Sequence, residues 1–392
     1  MKLSPERRSA PTHNASITHF IDVMRTSCFQ QKAGCLFLFF WKRNLNKKKK
    51  IIAIIILVSA VILSAFLALF SGSSDMSASE TLSALAGNGE PTAIRIIWNI
   101  RMPRILAALI AGAGLSVSGL IMQSTLSNPM ASPSTLGVSN AAVFGANLSI
   151  IAFAGGFLET GNNVKNYTAG INPFSTSLMA FLFSTLSIIL ILLLCRIRAF
   201  NREVVVLAGI AVGAIWTAAT TVLQFYATDV GISAAVIWNF GDLSRATYTS
   251  DLIMAIVVLS GAVFFTLSSW KLNALLSGDA AAHSMGVNVN LLRAVSMLIA
   301  SLITAVCVSF LGIIGFIGII GPHIIKRLLG HDHRFSIPGS MLMGSLILIL
   351  SDTFSRSMGN GSALPVGAIT SLLGAPFFVA IIFSKRGTGH YD

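Results

Sequence analysis

The residues able to act on a partner or a substrate fall into three groups. The first is a polar island, Ser277-Gly-Asp-Ala-Ala-Ala-His-Ser-Met-Gly286, set between two long apolar runs. It reads as a very short helix. Ser277 takes the capping position, and Asp279 stands in the first turn, where the helix dipole favours a carboxylate. Ala280 begins three helix-forming alanines, His283 lies near the end, and Gly286 supplies the left-handed stop. Val287 follows, and Asn288 or Asn290 can cap the next helix. A stiff knob anchored on both sides suits a partner that pushes; an ordinary capped connection is the plain alternative. The second group is Arg101, Arg104 and Arg356, whose guanidinium groups can pair in plane with carboxylates. The third is Gln123, Asn128, Pro129 and Asp352, at or beside the ends of apolar runs, where they can line or gate a path or simply cap helices.

Catalytic chemistry finds little support. No Walker-type motif occurs, and the glycine run at 312–321 lacks the Lys-Ser/Thr that a phosphate loop needs. The chain is therefore not expected to hydrolyse ATP itself. His331-Asp-His333 is too thin a set for a metal site, and four cysteines without C-x-x-C spacing give neither a cluster nor a disulfide framework. No cofactor or resident metal is expected. A membrane-embedded enzyme would need a polar catalytic cluster, which the sequence does not offer.

The elements that must hold these residues are membrane spans. Of 392 residues 54% are hydrophobic and 10% charged. About 20 apolar residues cross a bilayer as a helix, and about ten such runs occur, near 51–70, 105–123, 136–157, 178–195, 204–226, 252–270, 291–310, 313–329, 337–354 and 366–383. The fold class expected is an all-α integral membrane protein in a lipid bilayer. Small residues at 108, 112, 114, 118 and 119, and Gly209 with Gly213, predict close helix approach. The net charge of +13 is not a nucleic-acid signature, because 11 of the 27 basic residues lie in the first 50 positions. Beyond residue 50, ten basic residues fall on the inner side and six on the outer, which places both termini in the cytoplasm. Arg101, Arg104 and Arg356 belong to the outer minority that this rule disfavours. Residues 1–46 read as a basic, disordered cytoplasmic tail or an upstream start, 47–386 as the membrane domain, and 387–392 as a short cytoplasmic end. No span carries an ionisable residue at mid-depth, which argues against a secondary transporter driven by protons or sodium.

The set Arg101-Met-Pro-Arg104, Gly119-Leu-Ile-Met-Gln123, Asn128-Pro-Met-Ala-Ser-Pro133 and Leu136-Gly-Val-Ser139 resembles the FecCD-type permease family of ATP-driven (ABC) importers for iron-siderophores, haem and cobalamin. So do Leu207-Ala-Gly-Ile-Ala211, Trp238-Asn-Phe-Gly-Asp-Leu243, Gly315-Phe-Ile-Gly-Ile-Ile-Gly-Pro-His323, Leu364-Pro-Val-Gly367 and Gly374-Ala-Pro-Phe377. The resemblance runs from about 95 to 385. It implies a type II importer permease of ten helices in the bacterial cytoplasmic membrane, pairing with a second copy or a close paralogue. It further implies separate ABC ATPase subunits gripping the 277–291 segment, and an extracytoplasmic binding protein meeting Arg101, Arg104 and Arg356. The substrate implied is a metal chelate, an iron-siderophore first, with haem or cobalamin as alternatives. Ala363 stands where the family usually has Glu, so the role of that carboxylate is not carried over to this chain.

Overall fold

The computed structural model describes residues 46–72, 76–153, 173–197, 202–358 and 364–384. The expected basic tail, Ala363 and residues 387–392 lie outside them. The regular elements among the described residues are helices. In order they are α1 (Lys47–Phe70), α2 (Ala78–Leu85), α3 (Pro91–Thr125), α4 (Val138–Leu148), α5 (Pro173–Ile197), α6 (Arg202–Phe225) and α7 (Asp229–Asn239). Then come α8 (Tyr248–Leu267), α9 (Ser269–Leu276), α10 (Asp279–Ser284), α11 (Val289–Leu311), α12 (Ile317–Leu329), α13 (His333–Ser357) and α14 (Val366–Ser384).

Seven of these, α1, α3, α5, α6, α8, α11 and α13, are long and apolar enough to cross a membrane. The other three expected spans are shorter. The third is α4 continued by a π-helical turn, Ser149–Phe153; the tenth is α14, with its apolar stretch at Val366–Phe377. The eighth is the half-length α12, because the chain from Gly312 to Phe316 is not helical. The reason is steric. The Ile313 carbonyl passes between Gly241 and Gly367, where a Cβ would lie 2.2 and 2.3 Å from it. Non-helical backbone is tolerated at membrane depth where protein rather than lipid surrounds it. The second span also starts earlier than expected, since helical structure begins at Pro91 and passes through a π-helical stretch, Ile96–Arg101.

Helix α3 occupies the centre and packs against α8, α11, α12 and α13. Lipid chains are as apolar as leucine, so burial of apolar surface does not draw helices together here and close packing must. The small residues of α3 serve that purpose. A Cβ on Gly112 would lie 2.5 Å from the Gly344 carbonyl oxygen of α13, and one on Gly119 would lie 1.7 Å from the Gly318 oxygen of α12. Backbone therefore meets backbone at both crossings. The outward faces of α1, α5 and α8 carry exposed apolar side chains such as Ile56, Leu182 and Leu259, as a lipid-covered surface requires.

Candidate functional site

At one end of α3 stands the knob. Helix α10 is six residues long, and α9, eight residues long, precedes it, so the projecting part is a pair of short helices rather than one. Ser277 does not cap α10. Its N–H donates to the Ala274 carbonyl and closes α9, while Gly278, at φ +98°, holds the capping position. Gly286 has φ +79° and ends α10 as its residue type predicts; the Val287 N–H reaches back to the Ala282 carbonyl at 3.0 Å. Asn288 rather than Asn290 caps α11, accepting from the Leu291 N–H at 3.1 Å. Ala282 and Val287 are buried against the membrane domain, whereas Ala280, His283, Gly286 and Asn288 are exposed.

Three side chains hold the last turn of α3 beside this knob. Lys326 of α12 donates to Gln123 Oε1 at 2.9 Å. His333 of α13 places Nε2 2.9 Å from Ser124 Oγ. Arg293 of α11, 4% exposed, donates from Nε to the Thr125 carbonyl at 2.9 Å and from Nη2 to Asp279 of the knob at 2.6 Å. The Asn273 side-chain oxygen on α9 accepts from both the backbone N–H and Nδ1 of His333, so Nδ1 carries the proton. The Asn273 amide also donates to Asp332 at 2.8 Å. Burial pushes the Asp332 carboxyl up, but hydrogen bonds from Asn273 and the Arg334 N–H, with the charges of Arg334 and Lys50, outweigh it and hold the group below its ordinary value. His333 is thus an anchor within the chain, and among the described residues no three His, Cys, Asp or Glu side chains gather to hold a metal.

The opposite end of α3 carries the arginines. Arg101 and Arg104 are 4% and 7% exposed, and Arg356 is also largely covered. Asp352 pairs with Arg104 at 2.8 Å and with Arg356 at 3.0 Å. Arg101 donates to the Leu69 carbonyl, and Arg356 to the carbonyls of Ala68 and Ser71. Two guanidinium groups thereby cap the C-terminal end of α1, where the helix leaves carbonyls unpaired and carries partial negative charge. The three arginines do not form an open charged face; they tie α1, α3 and α13 together. Asp352 and Gln123, read as pathway groups or helix caps, are likewise buried and bonded inside the chain. Asn128 closes a turn by accepting from the Met130 N–H, with Pro129 exposed beside it.

A groove not foreseen from the sequence runs along α6. It encloses about 570 Å³ and is lined by Ser134, Thr135, Asn140, Gly213, Thr217 and Thr221 with small apolar neighbours. Asn140 of α4 donates to the Gly213 carbonyl at 3.2 Å and to Thr217 Oγ1 at 3.1 Å. Behind it Phe144, Phe183 and Trp216 pack mostly edge to face with centroids 4.9 to 5.5 Å apart, fixing α4, α5 and α6 to one another. Gly209 and Gly213 make the close approach their spacing predicts, against Leu136 and Gly137. The polar lining was missed because hydroxyls and one amide scattered through apolar runs give no periodic signal. Arg293, one of the ten inner-side basic residues, was likewise not singled out by its sequence neighbours.

The FecCD transport family matches residues 57–384. A Methanocaldococcus jannaschii protein described as an ABC transporter permease is 44% identical over 342 residues, spanning 87% of this chain and 97% of that one. The hemin transport system permease of Yersinia pestis is 34% identical over 291 residues, covering 74% of this chain and 84% of its own. A solved structure of a metal-chelate type ABC transporter in an inward-facing conformation superposes with a TM-score of 0.72 at 26% identity, over 85% of this chain and 99% of that one. The helical architecture, the motif set and these likenesses agree: the chain belongs to the FecCD transport family, as a multi-pass membrane permease of the metal-chelate ABC import type.

Proposed function

We propose that this chain is the permease of an importer for iron-siderophore complexes, working as a pair of copies or with a close paralogue in the cytoplasmic membrane. The observation that carries the reading is the α6 groove. Thr217 and Thr221 of α6, whose hydroxyls donate to the carbonyls of Gly213 and Thr217, and Asn140 of α4, bonded to Gly213 and Thr217, line an open concave face beside a membrane-crossing helix. A second permease facing the groove would close it into a path. The lining offers neutral hydrogen-bonding groups and no carboxylate or imidazole, which suits a bulky chelate better than a bare cation needing charged ligands.

The knob end faces the cytoplasm in this reading, with both termini, and separate ATPase subunits grip the exposed face of Ala280, His283, Gly286 and Asn288. The arginine end faces out and seats the binding protein. Because Arg101, Arg104 and Arg356 are already engaged, a docking carboxylate reaches them only by exchanging with Asp352 or with the α1 carbonyls. Haem is the second cargo, favoured by the name of the Yersinia relative.

The test is uptake in vesicles holding the permease, its ATPase and its binding protein, offered ferric hydroxamate, haemin and cobalamin in turn. ATP-dependent accumulation of the ferric hydroxamate is expected. Uptake by the permease alone under an ion gradient would end the proposal. Thr217→Cys is expected to react with a water-soluble thiol reagent and to cross-link between two permease copies.

A further inference from the structure

Gln123, Ser124 and Thr125 are consecutive and form the last turn of α3. Each is held by a different helix: Lys326 of α12, His333 of α13 and Arg293 of α11. Of these three, Arg293 also touches α10, while His333 reaches α9 through Asn273. Its guanidinium divides its donors, Nε to the Thr125 carbonyl and Nη2 to Asp279. The carbonyl is one of the C-terminal group that α3 cannot satisfy internally, so a buried cation is well matched to it. Asp279 stands in the first turn of α10 and has a half-exposed side chain, while Arg293 is enclosed.

We propose that Arg293 is the positioning residue that joins α10 to α3, so that displacement of α10 is handed to the last turn of the central helix. The planar fork is what lets one side chain hold two acceptors in fixed directions. A lysine at the same place keeps the charge but has all its donors on one nitrogen, so it cannot hold Asp279 and the carbonyl in the fixed geometry of the fork. Helix α3 then delivers the movement along its length, because its glycine crossings with α12 and α13 leave no side chains between backbones to absorb it.

This inference rests on the reading of α9–α10 as the ATPase grip, and the experiment separates the two. The permease is reconstituted with its ATPase and binding protein, and three quantities are read: ATPase bound per permease, ATP hydrolysed, and ferric hydroxamate, haemin or cobalamin accumulated, whichever the wild type carries. If wild-type permease binds no ATPase, the reading of the knob fails. If it does, Arg293→Lys is expected to keep both ATPase binding and hydrolysis while uptake per ATP falls roughly tenfold, the equivalent of one charge-assisted hydrogen bond. Asp279→Asn, at a partly exposed site with no buried charge removed, is expected to act in the same direction and covers the case in which Arg293→Lys fails to assemble. Unchanged uptake per ATP in both variants overturns the assignment. So does loss of ATPase binding in both, which would make Arg293 a shaper of the knob surface only.

Discussion

Arg104 Nε and Nη2 both lie 2.8 Å from one oxygen of Asp352, and the other oxygen of the same carboxylate lies 3.0 Å from Arg356. One buried acid therefore holds two buried cations and with them one end of three helices. Its removal takes away the counter-charge at 3.0 Å from Arg356 and leaves Arg104 with Asp242 at 4.0 Å. Asp352→Asn is expected to cost about 3–5 kcal/mol, measured as a fall in the midpoint of thermal unfolding in detergent.

Charge reversal at Arg101 and Arg104 together is expected to weaken capture of the binding protein. The same change loosens the attachment of α1, since Arg101 holds the Leu69 carbonyl. A pull-down read beside a melting curve separates the two effects. Docking unchanged in a folded double variant would remove these arginines from the partner surface.

The knob yields a different prediction. A Cβ at Gly286 would meet nothing within 4 Å, so the obstacle to substitution is the backbone, at φ +79°. Gly286→Val is expected to strain this turn by about 1–2 kcal/mol and to lower uptake per ATP with the membrane domain intact. Asparagine tolerates the left-handed region better, and Gly286→Asn is expected to retain most transport.

At the α3–α12 crossing, Gly119→Ala puts a methyl group 1.7 Å from the Gly318 oxygen. Overpacking of this kind costs about 1–3 kcal/mol or more. Reduced yield of folded permease and a lower unfolding midpoint are expected, with no change in an exposed control such as Ala280→Ser.

Acid should act through Asp332. Its folded-state pKa lies below the ordinary value of 3.8, so its contribution to stability is fully present above that value and is lost as pH falls through the folded-state pKa. Between about pH 7 and 5 no change is expected from this group. Below that range the α9–α13 tie weakens in the wild type, and Asp332→Asn, which can still cap α13, is expected to flatten the acid limb of the unfolding curve.

Much of this was legible in the chain. Apolar runs located the spans, and glycine spacing in α3 and α6 foretold close crossings, because both signals are local in sequence. Gly286 could be read for the same reason. The arginine end could not. Whether Arg101 points at a partner or at the Leu69 carbonyl depends on where α1 ends in space, 32 residues away. Asp352 and Gln123 were polar residues near span ends, and nothing nearby in sequence says that their partners, Arg104 and Lys326, lie 248 and 203 positions distant. The interruption at 312–316 was hidden in an apolar run whose glycines fit a packed helix equally well; its cause lies in Gly241 and Gly367.

The glycine contacts of α3 have a mechanical corollary. Where main chains abut, neither helix can roll or slip against the other without a collision, so α3, α12 and α13 travel as one block. The freedom any gate demands must then be sought between that block and the wall of α4, α5 and α6, which Phe144, Phe183 and Trp216 pin together, mostly edge to face.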